Sequence, residues 1–263
     1  MSSRPFKTHI HLPPGPLTSG LLRQMLHLIL TEFRWFEPMR YGDADMEYSI
    51  IPGKLDLAPL LTYYEKKKRQ HLFVGARTDR DYICFFPSGP NDLPYVSYFS
   101  WTTSLADTAR PAWRQRHLEQ VAALMQLVRS PLATAAADDD RERKIQYEVQ
   151  EEHYSYQEFT VRDYSEGLPG LFWRNFFGPP FMRLFGQRLE SLPPDRMRRL
   201  GEELVLIQPY ELPSLAGSPE ADAHERELIN LLGPECFYDH ERRQKPTRRP
   251  VLDEGTIPAT PKA

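Results

Sequence analysis

Three groups of residues have the types and spacing to do chemistry. His9 and His11 stand two apart in Thr8-His9-Ile10-His11-Leu12. On a strand both side chains share one face, as two metal ligands can. No third ligand lies near them in sequence, and the zinc spacings of paired cysteines or of His-Glu-x-x-His are missing. The pair therefore reads as two surface histidines on an edge strand. Asp43, Asp45 and Glu47 alternate after Gly42 like the start of a calcium loop. A loop of that kind needs glycine at its sixth position; Tyr48 stands there, so the segment reads as a solvated acidic loop. Cys84 and Cys236 sit beside aromatics, in Ile83-Cys84-Phe85-Phe86 and Glu235-Cys236-Phe237-Tyr238. Such thiols pack as small hydrophobes rather than react. The sequence contains neither a nucleophile elbow nor a glycine-rich phosphate loop.

The densest acidic stretch is Asp138, Asp139, Asp140, Glu142, Glu148, Glu151 and Glu152, interrupted by Arg141, Arg143 and Lys144. Runs of this kind usually form a solvated face. They also suit a basic partner, because complementary charge speeds encounter and fixes orientation. These seven residues are the candidate partner-binding set. No catalytic residue, metal ligand or cofactor is assigned.

The elements that position these groups follow from periodicity. Thr8–Leu12 alternates and reads as a first strand. Thr18 or Ser19 caps a helix over about Gly20–Phe33, with Leu21, Leu22, Met25, Leu26, Ile29 and Phe33 on one face. Arg34–Tyr41 reads as a strand. Asp56 caps a helix through Tyr64 that runs out in Lys66, Lys67, Lys68 and Arg69. Strands follow at His71–Arg77, Tyr82–Phe86 and Tyr95–Trp101, then a helix from Pro111 to Arg129. Ala133–Asp140 is small and then acidic, which predicts an exposed loop or an internal boundary. Residues 144–150 and Glu158–Asp163 read as strands. Leu171–Phe177 carries aromatics on both faces, so it is a strand buried on both sides or exposed at an interface. Gly178-Pro179-Pro180 then turns it into a short helix ending at Gly186. Pro194 opens a further helix through Leu200. Leu204–Leu212 reads as an edge or bent strand because of Pro209. Ser218-Pro219 opens the clearest helix, closed by Gly233-Pro234.

The chain has 263 residues, 40% hydrophobic and 12% aromatic, which is enough for a core. Mean hydropathy is −0.56, so the surface is strongly polar. With 33 basic against 36 acidic residues, the balance argues against a general nucleic-acid or anionic-membrane binder. Met1–Lys7 lacks an apolar core segment, so no secretory signal is read and the expected residence is cytoplasmic. Interleaved helices and alternating strands predict an α+β fold with largely antiparallel sheets. Residues 1–132 form one expected half, residues 133–240 a second, and residues 241–263 a poorly ordered tail.

Gly170-Leu171-Phe172-Trp173-Arg174, Phe177-Gly178-Pro179-Pro180-Phe181, Leu184-Phe185-Gly186, Leu189 to Pro193 and the closing Leu231-Leu232-Gly233-Pro234-Glu235-Cys236-Phe237-Tyr238 carry a resemblance. Over roughly residues 168–240 the chain resembles the immunity proteins of bacterial polymorphic-toxin and type VI secretion systems, in the group called immunity-protein family fifty-two. The resemblance implies a cytoplasmic antidote that binds a cognate toxin, here expected to be a nuclease effector, without catalysis and without a cofactor. Its motifs are packing motifs, so no contact residue transfers. Two other readings remain open. One is a hydrolytic enzyme with a dispersed site of carboxylates and His9 or His11; the other is an adaptor of a secretion apparatus.

Overall fold

The computed structural model describes residues 4–14, 17–67, 71–87 and 95–252. It is a mixed α+β chain with largely antiparallel sheets, as the alternating strands predict. Two compact units are present. One is Lys7–Ser130, and the other consists of the described residues of Met1–Phe6 and Pro131–Asp253.

The N-terminal unit takes most of β1 (Pro5–His11), followed by α1 (Ser19–His27), β2 (Arg40–Gly42), β3 (Tyr48–Ser49), α2 (Ala58–Lys66), β4 (Leu72–Gly75), β5 (Tyr82–Phe86), β6 (Tyr98–Ser104) and α3 (Pro111–Val128). Its strands lie in the order β1-β6-β5-β4-β2-β3. From β6 to β3 neighbours are antiparallel, with Cys84 opposite Ser100 and Phe73 opposite Cys84. Thr18 caps α1 by accepting from the Leu21 N–H at 3.2 Å. Leu22, Met25 and Leu26 face the core. The predicted single helix to Phe33 instead changes pitch. Leu28–Glu32 is a π-helical turn, closed by the Phe33 N–H on the Leu28 carbonyl at 2.8 Å. Asp56 accepts from the Ala58 N–H at 2.9 Å and so starts α2; Lys68 and Arg69 of its basic end lie outside the described residues. Strand β2 is much shorter than the predicted Arg34–Tyr41, since Arg34 adopts φ +49° and breaks the extended run. After α3, Arg129 turns left-handed (φ +53°) and the Ser130 N–H caps the Met125 carbonyl.

The C-terminal unit holds β7 (Leu132–Ala137), α4 (Asp138–Ile145), β8 (Gln146–Gln150), β9 (Ser155–Phe159), β10 (Arg174–Phe177), α5 (Pro179–Phe185), β11 (Met197–Arg199), β12 (Val205–Ile207) and α6 (Pro219–Leu232). Its main strands lie in the order β11-β12-β10-β7, and these neighbours are antiparallel. The two-faced aromatic segment is buried throughout. β10 sits between β7 and β12, and Trp173, Phe176, Phe177, Phe181 and Phe185 are each at most 1% exposed. Phe177, Phe181 and Phe185 form one ring cluster, with centroids 5.1–6.4 Å apart. Gly178-Pro179-Pro180 makes the predicted corner into α5. Asn175 is buried yet satisfied: it accepts from the Phe172 N–H and donates to the carbonyls of Phe172 and Ile207.

Several expectations are overturned. Leu132–Ala137 is a wholly buried strand rather than an exposed loop. Asp138–Ile145 is a helix, so the predicted strand begins only at Gln146. Met197–Arg199 pairs with β12 instead of continuing a helix from Pro194. Residues 241–252, read as part of a loose tail, are docked within their own unit. The Thr247 and Arg248 N–H groups reach the Glu235 carbonyl, and Pro246 is buried. Residues 253–263 lie outside the described residues. Among the described residues no helix is long and apolar enough to cross a membrane.

The docked segment is held partly by charge. Glu166, 4% exposed, accepts from the Arg162 side chain and backbone and from Lys245 at 3.2 Å. Burial alone would raise its pKa, but these donors bring it down to about 2. A lowered carboxylate pKa gives stability that is fully present above the unfolded value and is lost as the pH falls through the folded one. Urea unfolding should therefore show wild type exceeding Glu166→Gln by ~2 kcal/mol at pH 7. The gap should close as the pH drops from the ordinary glutamate range toward about 2. A gap independent of pH would exclude this linkage.

Candidate functional site: an acidic aromatic hairpin on a buried charge anchor

The acidic stretch divides in two. Its first part is α4, where Asp138, Asp139 and Asp140 occupy the first turn and Arg143 and Lys144 the last, the arrangement the helix dipole favours. Asp138 is half-buried. Asp139 is exposed and ion-paired with Arg4, and Glu142 is exposed. Asp140 points inward and is 2% exposed. It accepts from Lys144 at 3.2 Å, Arg143 at 2.9 Å and the Tyr210 hydroxyl at 3.1 Å. Asp140 is thus part of the interior of its unit and is not presented to a partner.

Lys144, 4% exposed, is the centre of this interior network. It donates to Glu225 at 2.6 Å and to the Leu171 carbonyl, besides Asp140. Glu225 accepts the Leu171 N–H at 3.0 Å with its other oxygen. Gly170, at φ +153°, permits the approach, since a Cβ there would lie 3.1 Å from that oxygen. Arg143 links Asp140 to Asp222 at 3.0 Å. Burial raises the Glu225 pKa; Lys144 opposes the shift without cancelling it. Burial and then Asp140 hold the Tyr210 hydroxyl protonated. Every member has a partner, which is the condition for a polar group to be tolerated in a core. The network ties α4 to α6 and to the backbone entering β10.

The second part turns outward. β8 and β9 form a separate two-stranded sheet, with Tyr147 opposite Glu158 and Val149 opposite Tyr156. The Glu151 N–H bonds the Tyr154 carbonyl at 2.9 Å and closes the loop. An isolated hairpin is marginal in water, and this one is fastened at its base. Buried Thr160 donates its hydroxyl to the Lys144 carbonyl at 2.8 Å, and its N–H to that of Ile145 at 3.0 Å. Tyr147 donates to Glu158 at 2.7 Å, stacks on Tyr238 at 6.1 Å, and lies under Arg243 at 5.1 Å. The hydrogen bond to Glu158 is the main reason its pKa is pushed up to about 12.

Glu148, Glu151, Glu152 and Glu158 are exposed on this hairpin, and residues 146–159 contain no lysine or arginine. The local charge of −4 exceeds the −3 of the whole chain. Three large rings stand among these carboxylates: Tyr154 is 62% exposed, Tyr156 43% and Phe159 52%. Aromatics left in water beside charge are characteristic of protein interfaces, where tyrosine supplies rigid area and a polar tip. The rings were not part of the sequence-derived set. Their signal was present in Tyr154-Ser155-Tyr156 next to Glu151-Glu152 and required knowing that β9 has no covered face.

The other sequence candidates sit elsewhere. His9, expected on the surface, is instead buried, 4.9 Å from the Tyr98 ring, with Ser100 at 3.5 Å. His11 lies 6.5 Å from the same ring. Glu47 accepts from the Asp43 N–H, so the acidic loop closes on itself. Among the described residues no group of three or more His, Cys, Asp or Glu is placed to hold a metal ion. Burial raises the pKa of both thiols.

No family model matches the sequence, and no curated protein matches it. The fold has a solved counterpart in the Pseudomonas aeruginosa T6SS protein PA0821. The likeness has a TM-score of 0.57 at 13% identity, and covers 89% of this chain and 74% of that one. At that identity the likeness concerns the fold.

Proposed function

We propose that this chain is a cytoplasmic immunity protein of a type VI secretion system, which neutralises a cognate nuclease toxin by direct contact and performs no chemistry of its own. The observation that carries the reading is the hairpin. Four carboxylates and three exposed rings, with no lysine or arginine between them, suit a basic protein surface. A nuclease that grips phosphates presents such a surface. The exposed carboxylates imitate the phosphate charge and steer encounter, while the rings supply area that holds the complex. The secretion-system part of the reading draws on the fold shared with PA0821 and on the sequence resemblance over residues 168–240.

The test is co-purification with a catalytically inactive form of the nuclease encoded beside the gene. A one-to-one complex of nanomolar affinity, about −12 kcal/mol, together with loss of nuclease activity on mixing, is the expected result. Failure to bind any neighbouring product would overturn the reading. A stable assembly with secretion components instead would favour an adaptor.

A further inference from the structure

The N-terminal unit contains a cleft of about 620 Å³ that the proposed function does not use. Its volume lies in the range of sites for small ligands. The wall is aromatic. Trp35 stacks on Trp101 at 3.9 Å and 10°, and Trp101 continues to Trp113 at 5.7 Å. Phe33 extends the column from the other end, 6.2 Å from Trp35.

The rim is basic. Asp107 accepts from both Arg80 and Arg110, and Arg80 also reaches Asp81. That leaves Arg34, Arg77 and Arg116 facing the cleft without an ion pair among the described residues, against Glu37 alone. The guanidinium fork matches phosphate oxygens two at a time.

The backbone here is also irregular. The π-helical turn Leu28–Glu32 and the left-handed Arg34 deliver Phe33, Arg34 and Trp35 into the cleft. Both features carry a cost and concentrate at functional positions.

We infer that this cleft binds a small phosphate-bearing molecule with a planar ring, of the chemical class of a mononucleotide. The arginines take the phosphate, and the ring lies against the tryptophan wall. The site is separate from the hairpin, so the inference stands or falls independently of the toxin-binding reading.

The chain has four tryptophans, and three of them line the cleft. The fourth, Trp173, is buried in the other unit and donates to the Glu211 carbonyl. The test is titration of the ¹⁵N-labelled full chain with AMP, GMP, CMP and UMP, following the four indole resonances assigned by Trp→Phe variants. Adenosine, inorganic phosphate and hexaglutamate are the controls. At least one mononucleotide should shift the Trp101 resonance saturably, with Kd between ~10 µM and ~1 mM, while Trp173 stays fixed. The Arg77→Ala/Arg116→Ala variant changes only exposed side chains, so the ligand-free Trp35, Trp101 and Trp113 resonances should stay dispersed and report an intact N-terminal unit, and Kd should rise at least ~10-fold. The inference is overturned by no saturation up to ~10 mM of any mononucleotide, by equal affinity in the double variant, or by adenosine binding as tightly. Saturation by hexaglutamate alone would overturn it in favour of an acidic peptide.

Discussion

Lys144→Ala should destabilise the protein by about 3–5 kcal/mol. The side chain is the only cation held by both Asp140 and Glu225 among the described residues, and all three groups are almost fully buried. Removing it leaves two carboxylates in the interior with one lost counter-charge and an unpaired Leu171 carbonyl. Arg143 remains on Asp140, but among the described residues Glu225 keeps only the Leu171 N–H. The loss should depend on pH in a defined direction. Glu225 already has a raised pKa from burial, and losing Lys144 removes the main force opposing that rise. A raised carboxylate pKa favours the folded state at low pH, and that benefit disappears as the pH climbs through the folded value. The deficit of the variant should therefore be larger at pH 8 than at pH 5. Lys144→Met with Glu225→Gln should recover part of the loss, because it replaces a broken ion pair with neutral groups of similar size. Urea unfolding at the two pH values measures all of this. A Lys144→Ala deficit below ~1 kcal/mol at pH 8 would show that the network contributes little to stability.

How legible this arrangement was in the sequence depends on which signal each element carries. α6 was readable end to end: Ser218 accepts from the Ala221 N–H, Pro219 starts the helix, and Gly233 leaves it at φ +104°. These signals are local, so no tertiary context alters them. β7 was missed because Leu132-Ala133-Thr134-Ala135-Ala136-Ala137 has little strand propensity of its own. Its pairing with β10, Phe176 opposite Ala133 and Arg174 opposite Ala135, shows where small side chains lie beside large ones. α4 was missed because a helix composed of Asp, Arg, Glu and Lys looks like a solvated loop. Two signals were nonetheless present: acids first and bases last, and an Asp140–Lys144 pair at i,i+4. What the sequence lacked was the position of Glu225, 81 residues away, which turns that pair into a core feature.

The acidic stretch shows the same limit at the candidate site. Charge density picks out the segment, but does not separate a carboxylate that holds the core together from one left on the surface. Asp140 and Glu151 are alike in composition and opposite in environment. The distinction arises from the helix-to-hairpin change at Ile145 and Gln146, where the chain leaves α4 and enters a two-stranded sheet whose second strand is exposed along its whole length. Mutations meant to probe partner binding therefore belong on the hairpin, while those in α4 report stability.

The second large effect expected is on complex formation. On the proposed reading, replacing Tyr154, Tyr156 and Phe159 together by alanine should raise the Kd for the proposed toxin by at least ~100-fold, since interface aromatics at hot spots cost about 2 kcal/mol or more each and are not strictly additive. All three rings are exposed, so thermal stability should hardly move. The charge-reversal variant Glu148→Lys/Glu151→Lys/Glu152→Lys acts on a different step. Rim charges govern the encounter, so it should slow association by ~10-fold or more at low salt and flatten the salt dependence of the rate. Dissociation should change much less. Surface plasmon resonance at two ionic strengths separates the two variants, because the aromatic change acts chiefly on the off-rate and the charge change on the on-rate. Wild-type kinetics in both, with the complex itself intact, would move the interface away from the hairpin and leave the antidote reading standing on another surface. An aromatic effect without a charge effect would instead show that the partner surface is apolar, and would remove the electrostatic reason for expecting a nuclease.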